Sequence, residues 1–179
     1  MKKIFSAGGL ALILALSAFS ARPAAAQTEI TKIDWEVSKL QGKNRIPFAP
    51  VAELRADPEL KFTDKLRAVV TLRNNSAKDA EGLVLRYSLK LRLQKAGDPQ
   101  EKAFWAVPFY VEEIRVAAVK AKTERQTRVI NFEFPDQLRK LRNSGFLPTA
   151  LKLEIMVCPR QGDEPLQIIR EAVIEILKP

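Results

Sequence analysis

Leucine at every second position is the feature that most restricts how this chain can fold. Residues 83–94 put apolar side chains on one parity and mostly polar or charged ones on the other. Successive side chains of a strand point to opposite faces, so this alternation predicts a strand with one buried face. A helix would place Leu89 beside Arg92 and mix the two faces, so the pattern outweighs the helix propensity of leucine. The apolar set is Leu83, Leu85, Tyr87, Leu89, Leu91 and Leu93.

Three other segments alternate in the same way and predict further half-buried strands. They are residues 65–73, residues 128–134 and residues 149–158. A shorter alternation over residues 32–38 predicts a strand in which Trp35 belongs to the core. The residues expected to point inward are Ile33, Trp35, Val37, Leu66, Ala68, Val70, Leu72, Ile130, Phe132, Phe134, Leu151, Leu153, Ile155 and Val157.

The remaining segments carry weaker patterns. Residues 103–111 are apolar on both parities, which predicts a strand covered on both faces, with Pro108 marking an edge or a bulge. A continuation over 114–119 is expected after a bend at Glu112 and Glu113. A last strand is predicted at about residues 166–177. The segment 41–64 contains three prolines, and it is either a functional loop or the site of a short hidden strand.

One short helix is predicted near residues 136–143. Asp136 can accept backbone N–H groups at its start, and Gly145 is placed to end it. About seven strands and one helical turn predict an all-β fold, namely a single immunoglobulin-like or fibronectin type III-like β-sandwich over residues 27–179.

A short stretch also resembles a known group of domains. Val70-Thr71-Leu72-Arg73-Asn74-Asn75-Ser76, followed by Ala80-Glu81-Gly82-Leu83, resembles the strand–Asn–turn–strand run of bacterial exported immunoglobulin-like domains such as the CARDB-like group. The resemblance covers residues 65–94. It implies an asparagine that fits a tight turn at a strand end, and an interaction or spacer module, without naming a ligand.

Residues 1–26 have the three-part order of a cleavable signal peptide. Lys2 and Lys3 precede a stretch without charge from residue 4 to residue 21, and alanines at 24–26 supply the small residues before Gln27. The apolar core is short for a membrane span of about 20 residues, so cleavage is favoured over anchoring. We therefore expect a periplasmic or secreted protein whose mature chain begins at Gln27.

Composition excludes several kinds of chemistry. The chain has no histidine, which removes Ser-His-Asp and Cys-His catalysis and the histidine zinc sites. It has one cysteine, Cys158, so no internal disulfide can form, and the thiol has no histidine to activate it. The sequence predicts no catalytic residue, no metal site and no cofactor.

Two surface features are candidates for binding. Five basic residues lie on the outward parity of the two best strands and would form one basic face if those strands were neighbours; an anionic partner would suit it. The alternative is a solvated face neutralised by acids of adjacent strands, with Glu133, Glu154, Glu171 and Glu175 available. The basic residues are Arg67, Arg73, Arg86, Lys90 and Arg92.

The second candidate is an aromatic platform. Trp105 and Phe109 share one parity and would stack on sugars if exposed, whereas core packing is the ordinary fate of such residues. The leading hypothesis is a non-enzymatic exported interaction or structural module of the bacterial cell envelope. Its partner would be another envelope protein or an anionic envelope polymer, and nucleic acid is not expected. The alternative is a small ligand- or carbohydrate-binding module that uses the aromatic strand 103–111.

Overall fold

Twelve strands account for most of the described chain. The computed structural model describes residues 28–55, 64–130, 140–141, 143–158 and 169–177, and every structural statement below concerns those residues. In chain order the strands are β1 (Thr28–Ser38), β2 (Leu40–Gln41), β3 (Asn44–Arg45), β4 (Ala49–Pro50), β5 (Glu53–Arg55), β6 (Lys65–Asn74), β7 (Val84–Lys95), β8 (Phe104–Trp105), β9 (Tyr110–Arg115), β10 (Glu124–Val129), β11 (Phe146–Val157) and β12 (Ile169–Leu177).

Two main sheets are formed. Sheet 1 has the order β10-β6-β1-β4, and sheet 2 has the order β5-β12-β11-β7-β8, with β9 also pairing with β7. All pairings are antiparallel except that of β5 with β12. The strands β2 and β3 form a separate small hairpin. Consecutive long strands β6 and β7 therefore lie in different sheets.

The core lies between the two sheets and makes the domain a β-sandwich. Sheet 1 contributes the inward residues of β1 and β6, and sheet 2 those of β7, β11 and β12, to one continuous apolar cluster. The side chains with the least exposure include Tyr87, Leu72, Leu85, Leu89, Leu151, Leu153, Ile155, Ile174, Val70 and Val119. The all-β sandwich predicted from alternation is confirmed.

The inward parity is confirmed in β1, β6, β7 and β11. The outward side of β6 is less exposed than its sequence suggests, because Val69 and Thr71 are also buried. In β1 the ladder with β6 shifts between Ile30 and Lys32. This β-bulge puts Ile30 in the core together with Ile33 and Trp35, which a strict period of two does not allow.

The prediction that residues 103–111 form a strand covered on both faces is wrong, whereas the edge position indicated by Pro108 is confirmed. The segment is broken into β8 and β9 by residues 106–109, it lies at the edge of sheet 2, and it is not covered on both faces. No bend occurs at Glu112 and Glu113, because both pair regularly with β7. Pro108 lies in the break, where its missing N–H costs no ladder hydrogen bond.

The predicted strand 128–134 is also placed differently. Strand β10 ends at Val129, which is the buried residue facing Ala68. Ile130 is buried, as expected, but it follows the strand with a φ of 75°, a conformation that is rare for a β-branched residue. Residues 131–139, which include the predicted inward residues Phe132 and Phe134, lie outside the described residues.

Several other predictions are partly covered by the described residues. Lys140, Leu141 and Asn143 are helical, and Gly145 follows with a φ of 77°, which only glycine adopts readily. The segment 41–64 contains four short strand elements, β2 to β5, up to Arg55. The signal segment 1–26 and residues 56–63 lie outside the described residues. No helix of the described part is long and apolar enough to cross a membrane.

Candidate functional site

The five basic residues are not brought together. Arg67 and Arg73 lie on β6 in sheet 1, whereas Arg86, Lys90 and Arg92 lie on β7 in sheet 2. The sheets pack through their inner faces, so the outward side chains of β6 and β7 point to opposite sides of the sandwich. The single basic face predicted from sequence does not exist in this fold.

Carboxylates of adjacent strands neutralise most of these basic residues. On sheet 1 the Arg67 Nε donates to Glu36 Oε2 at 2.6 Å, and the guanidinium lies 3.9 Å from the Phe48 ring centre. Arg73 lies directly across from Glu29 on one side and Glu124 on the other. The solvated and compensated surface considered as the alternative is therefore the better description.

Sheet 2 shows the same compensation in a denser form. Lys90 Nζ lies 2.7 Å from Glu154 Oε1, and Lys152 Nζ lies 3.5 Å from the same oxygen. Arg92 pairs with Glu175 and also donates to the Thr149 hydroxyl at 2.9 Å.

Glu154 lies at the centre of this network. Burial by itself raises the pKa of Glu154, but the hydrogen bond and charge of Lys90, together with Lys152 and Ser88, outweigh burial and lower it. The carboxylate is therefore held in its charged form by its neighbours.

Trp105 is the aromatic residue that lies against this charged face. Its ring centre is 4.7 Å from Lys152 Nζ and 5.8 Å from the Arg92 guanidinium carbon. Trp105 also lies directly across from Arg92 in the ladder and is 36% exposed. Two cations beside the ring make a cation–π contact that fixes the indole on the sheet.

Phe109 does not extend this surface. It is half-buried and packs against the core. Residues 106–109 interrupt the strand between Trp105 and Phe109, so the two side chains do not point to the same face. The predicted pair of Trp105 and Phe109 is therefore not a platform. Trp105 alone presents an exposed aromatic surface next to polar groups.

The most exposed apolar side chains near Trp105 belong to the same edge. Phe104 is 49% exposed, Val107 82% and Val111 63%. We call these three residues the edge surface. Phe104 also contacts Phe146 edge-on, with ring centres 6.0 Å apart.

Backbone hydrogen bonds explain why Val107 projects into solvent. Ala106 N–H donates to the Leu91 carbonyl at 2.9 Å, and Phe109 N–H donates to the Leu89 carbonyl at 3.0 Å. Val107 and Pro108 lie between these two hydrogen bonds. The loop is therefore held at both ends, so the backbone that carries Val107 is fixed against β7.

A pair of tyrosines ties this edge to the core. Tyr87 Oη donates to Glu112 Oε2, and Tyr110 Oη donates to the same oxygen at 2.9 Å. The Tyr87 oxygen also accepts the N–H of Ile130 at 3.2 Å. Burial, followed by the Glu112 hydrogen bond, raises the pKa of Tyr87 and of Tyr110. Both hydroxyls therefore remain protonated donors at neutral pH.

The described residues offer no assembly for metal or thiol chemistry. No group of three or more His, Cys, Asp and Glu side chains that could hold a metal ion occurs within them. Cys158 is half-buried and its thiol is free. Its backbone N–H continues the β7 ladder by donating to the Val84 carbonyl at 2.8 Å.

Among the open grooves of the described fold, two are well defined. One, of about 190 Å³, lies on the outer face of sheet 2 between Val111 and Met156; the other, of about 350 Å³, lies between β1 and β12. Neither is lined by Trp105 or Phe109, the two residues predicted as an aromatic platform.

Comparison with known proteins adds little to this geometry. No protein-family model and no curated protein matches the chain. Among solved structures the chain is similar to the C-terminal domain of Wzt, at 10% sequence identity and a TM-score of 0.37, covering 86% of this chain and 75% of that chain. A likeness this distant assigns no ligand or partner.

Sequence reasoning missed the edge surface. A continuous apolar run was interpreted as doubly covered, and Phe104, Val107 and Val111 were not singled out. The edge or bulge indicated by Pro108 was correct, but it conflicted with the doubly covered strand predicted for the same residues.

Proposed function

We propose that the mature chain is a non-enzymatic, exported interaction module of the bacterial cell envelope and that it binds another protein through the edge surface. The observation that carries the proposal is the exposure of Phe104, Val107 and Val111 along one sheet edge. An open sheet edge that carries exposed apolar and aromatic side chains is a surface on which another chain can pair or pack.

Two further observations support a protein partner over an anionic polymer. The five candidate basic side chains are divided between two opposite faces, and Arg86, Lys90 and Arg92 of β7 are each paired with a carboxylate. An anionic polymer would have to displace those pairs. The Val107 side chain, by contrast, is 82% exposed, and the backbone hydrogen bonds on either side of it lower the entropy lost on binding.

Export and the absence of catalysis belong to the same proposal. The signal-like residues 1–26 support export, and the lack of histidine supports a binding role. Intact-mass measurement of the exported protein should give a chain that begins at Gln27. A mature mass that includes residues 1–26 would contradict export with cleavage.

Site-specific photo-crosslinking in the source cells tests the binding surface directly. A crosslinking amino acid at position 107 should give a discrete adduct with one envelope protein, and Phe104→Ser in the same chain should reduce it strongly. The matched control places the same amino acid at Arg125, an exposed residue of β10 in the other sheet. No discrete adduct at 107, or the same adducts at both positions, would contradict the proposal.

Carbohydrate binding is a second candidate because of Trp105. The exposed indole lies beside paired cations and carboxylates on a sheet face, and such a surface combines stacking with hydrogen bonding. The chain has two tryptophans, and Trp35 is buried, so ligand-induced fluorescence changes would report mainly on Trp105. Titration with neutral oligosaccharides should change the emission of the wild type and not of Trp105→Ala. Unchanged emission of the wild type with every oligosaccharide would remove this candidate.

A further inference from the structure

A groove of about 350 Å³ opens between the sheets on the side of the sandwich away from the edge surface. One wall is the part of β1 from Ile30 to Trp35, and the other is the part of β12 from Arg170 to Val173. Strands β8 and β9 lie at the opposite edge of sheet 2. The groove is therefore separate from the surface assigned to the proposed function.

The groove exists because one edge strand changes sheets. Strand β4 runs beside β1, and Val51 N–H still donates to the Trp35 carbonyl at 2.9 Å. From Glu53 the chain pairs instead with β12, starting at Glu175. Among the described residues, no strand covers β1 before Trp35 or β12 before Glu175 on this side.

The exposed edge of β1 offers backbone groups to a further strand. In an antiparallel strand alternate residues direct their N–H and C=O groups to the same side. The Trp35 carbonyl faces β4, so the N–H and C=O of Ile33, two residues earlier, face the same open side. An extended segment that continued the line of β4 would meet them.

The indole of Trp35 independently indicates that this groove has an occupant. The residue is 6% exposed and lines the groove, yet its indole N–H has no acceptor in the described part of the structure. Buried donors nearly always have a partner. An occupant that carries carbonyl or hydroxyl oxygens would supply one.

The charged side chains around the groove are largely compensated. Lys32 pairs with its neighbour Asp34, and Glu171, which also lines the groove, pairs with Lys152. Arg170 lies on the inward side of β12, as Ala172 does, and its Nε donates to the Ile30 carbonyl at 3.2 Å. Recognition at this groove is therefore expected to rest on backbone groups and the Trp35 indole, and not on charge.

A second copy of this chain is a poorer occupant than a foreign segment. The bulge between Ile30 and Lys32 interrupts the regular spacing that two β1 strands would need to pair with each other. An exposed lysine on an edge strand also opposes such pairing. A short flexible peptide can adjust to the bulge, whereas a second rigid sheet cannot.

We propose that this groove accepts an extended segment of a partner protein by strand addition. The segment continues the line of β4 and pairs with the backbone of Ile33. Its alternate apolar side chains enter the groove against Ile30 and Ala172, and one of its carbonyl groups accepts the Trp35 indole N–H. Main-chain hydrogen bonds give such sites their affinity, and alternate side chains give them their specificity.

A designed peptide tests the proposal with the wild-type protein. The probe is a six-residue peptide that alternates valine with glutamate and has acetyl and amide ends. In NMR titrations we expect weak saturable binding, with a dissociation constant of roughly 0.1–1 mM. The largest shifts should be those of the Ile33 amide and the Trp35 indole N–H. A matched peptide with two N-methylated backbone positions should bind roughly tenfold more weakly, because it lacks two N–H donors.

Two protein variants complete the design. Ala172→Leu fills the groove from β12 and should abolish the shifts, whereas Val111→Leu adds similar volume on the other sheet edge and should not.

Three results would overturn the proposal. The first is the absence of shifts at Ile33 and Trp35 at millimolar peptide. The second is equal binding of the N-methylated peptide, which would mean a site held by side chains alone. The third is movement of the Ile33 signal with protein concentration in the absence of peptide, which would make a second copy the occupant.

Discussion

Two apolar stretches of this chain have opposite fates. In β7 every second residue is a leucine or tyrosine, and those side chains are almost completely buried between the sheets. Residues 104–111 contain a similar amount of apolar surface, yet Phe104, Val107 and Val111 are well exposed. The two stretches are direct neighbours in sheet 2, so their different burial does not come from their distance to the core.

The difference shows that burial is predicted better by the period of the apolar residues and the position of the strand in its sheet than by apolar content. Alternation in β7 assigns one face to the core, and β11 has the matching alternation on its other side. The 104–111 segment has no period and contains Pro108, which has no N–H to donate and lies in the break between β8 and β9. An apolar residue at an unpaired edge remains available to another molecule, and this availability is the basis of the proposed function.

The largest difference in stability between the two stretches is expected when a carboxylate is placed in each. Leu89→Asp buries an unpaired charge and should cost several kcal/mol, which is on the order of the whole stability of a domain. Val111→Asp, on the neighbouring strand, should change stability by less than about 0.5 kcal/mol. Urea denaturation followed by circular dichroism measures both. Similar midpoints for the two variants would show that the burial assigned to β7 is incorrect.

This contrast also shows what sequence alone could supply. The strands β6, β7 and β11 were predictable because each keeps its period for nine or more residues. The division of β6 and β7 between two sheets was not, since alternation says which face is buried and nothing about the neighbouring strand. The basic face failed for that reason alone.

Local irregularities were equally hidden. The bulge in β1 and the positive φ of Ile130 each lie beside a hydrogen bond to a residue distant in sequence, from Arg170 to Ile30 and from Ile130 to Tyr87. The groove beside β1 results from the sheet change after Val51, within a segment whose prolines indicated only a loop or a hidden strand. The edge position of residues 103–111 was indicated by Pro108, but the apolar pattern on both parities predicted a covered strand for the same residues.

A second test concerns the Tyr87 hydroxyl, which links β7 to Glu112 of β9. Tyr87→Phe keeps the buried ring but removes the donor to Glu112 and the acceptor for the buried Ile130 N–H. Leaving such groups unpaired should cost about 1–3 kcal/mol. Tyr110→Phe is the matched control, and it should cost less because its bond to Glu112 lies nearer the surface. Equal losses, measured by thermal melting and urea denaturation, would mean that Tyr87 contributes only its ring.

The smallest expected effect concerns charge on the outer face of the same two regions. The pKa of Glu154 is lowered in the folded protein, so its contribution to stability is present above its unfolded pKa of about 4.3 and is lost as the pH falls through the lower folded value. Glu154→Gln should therefore cost about 1 kcal/mol at pH 7, because Lys90 and Lys152 lose a partly buried partner.

The pH dependence separates this ion network from simple packing. The difference in the free energy of unfolding between wild type and Glu154→Gln should be smaller at about pH 3 than at pH 7, because the contribution of a carboxyl whose pKa is lowered by folding is lost as the pH falls. Glu113→Gln, which breaks the exposed pair with Arg86 at the edge, should show no measurable loss at either pH. A loss for Glu154→Gln that stayed constant with pH would assign the effect to shape or hydrogen bonding. The centre of sheet 2 and its edge would then differ in burial alone, and not in how firmly their charges are held.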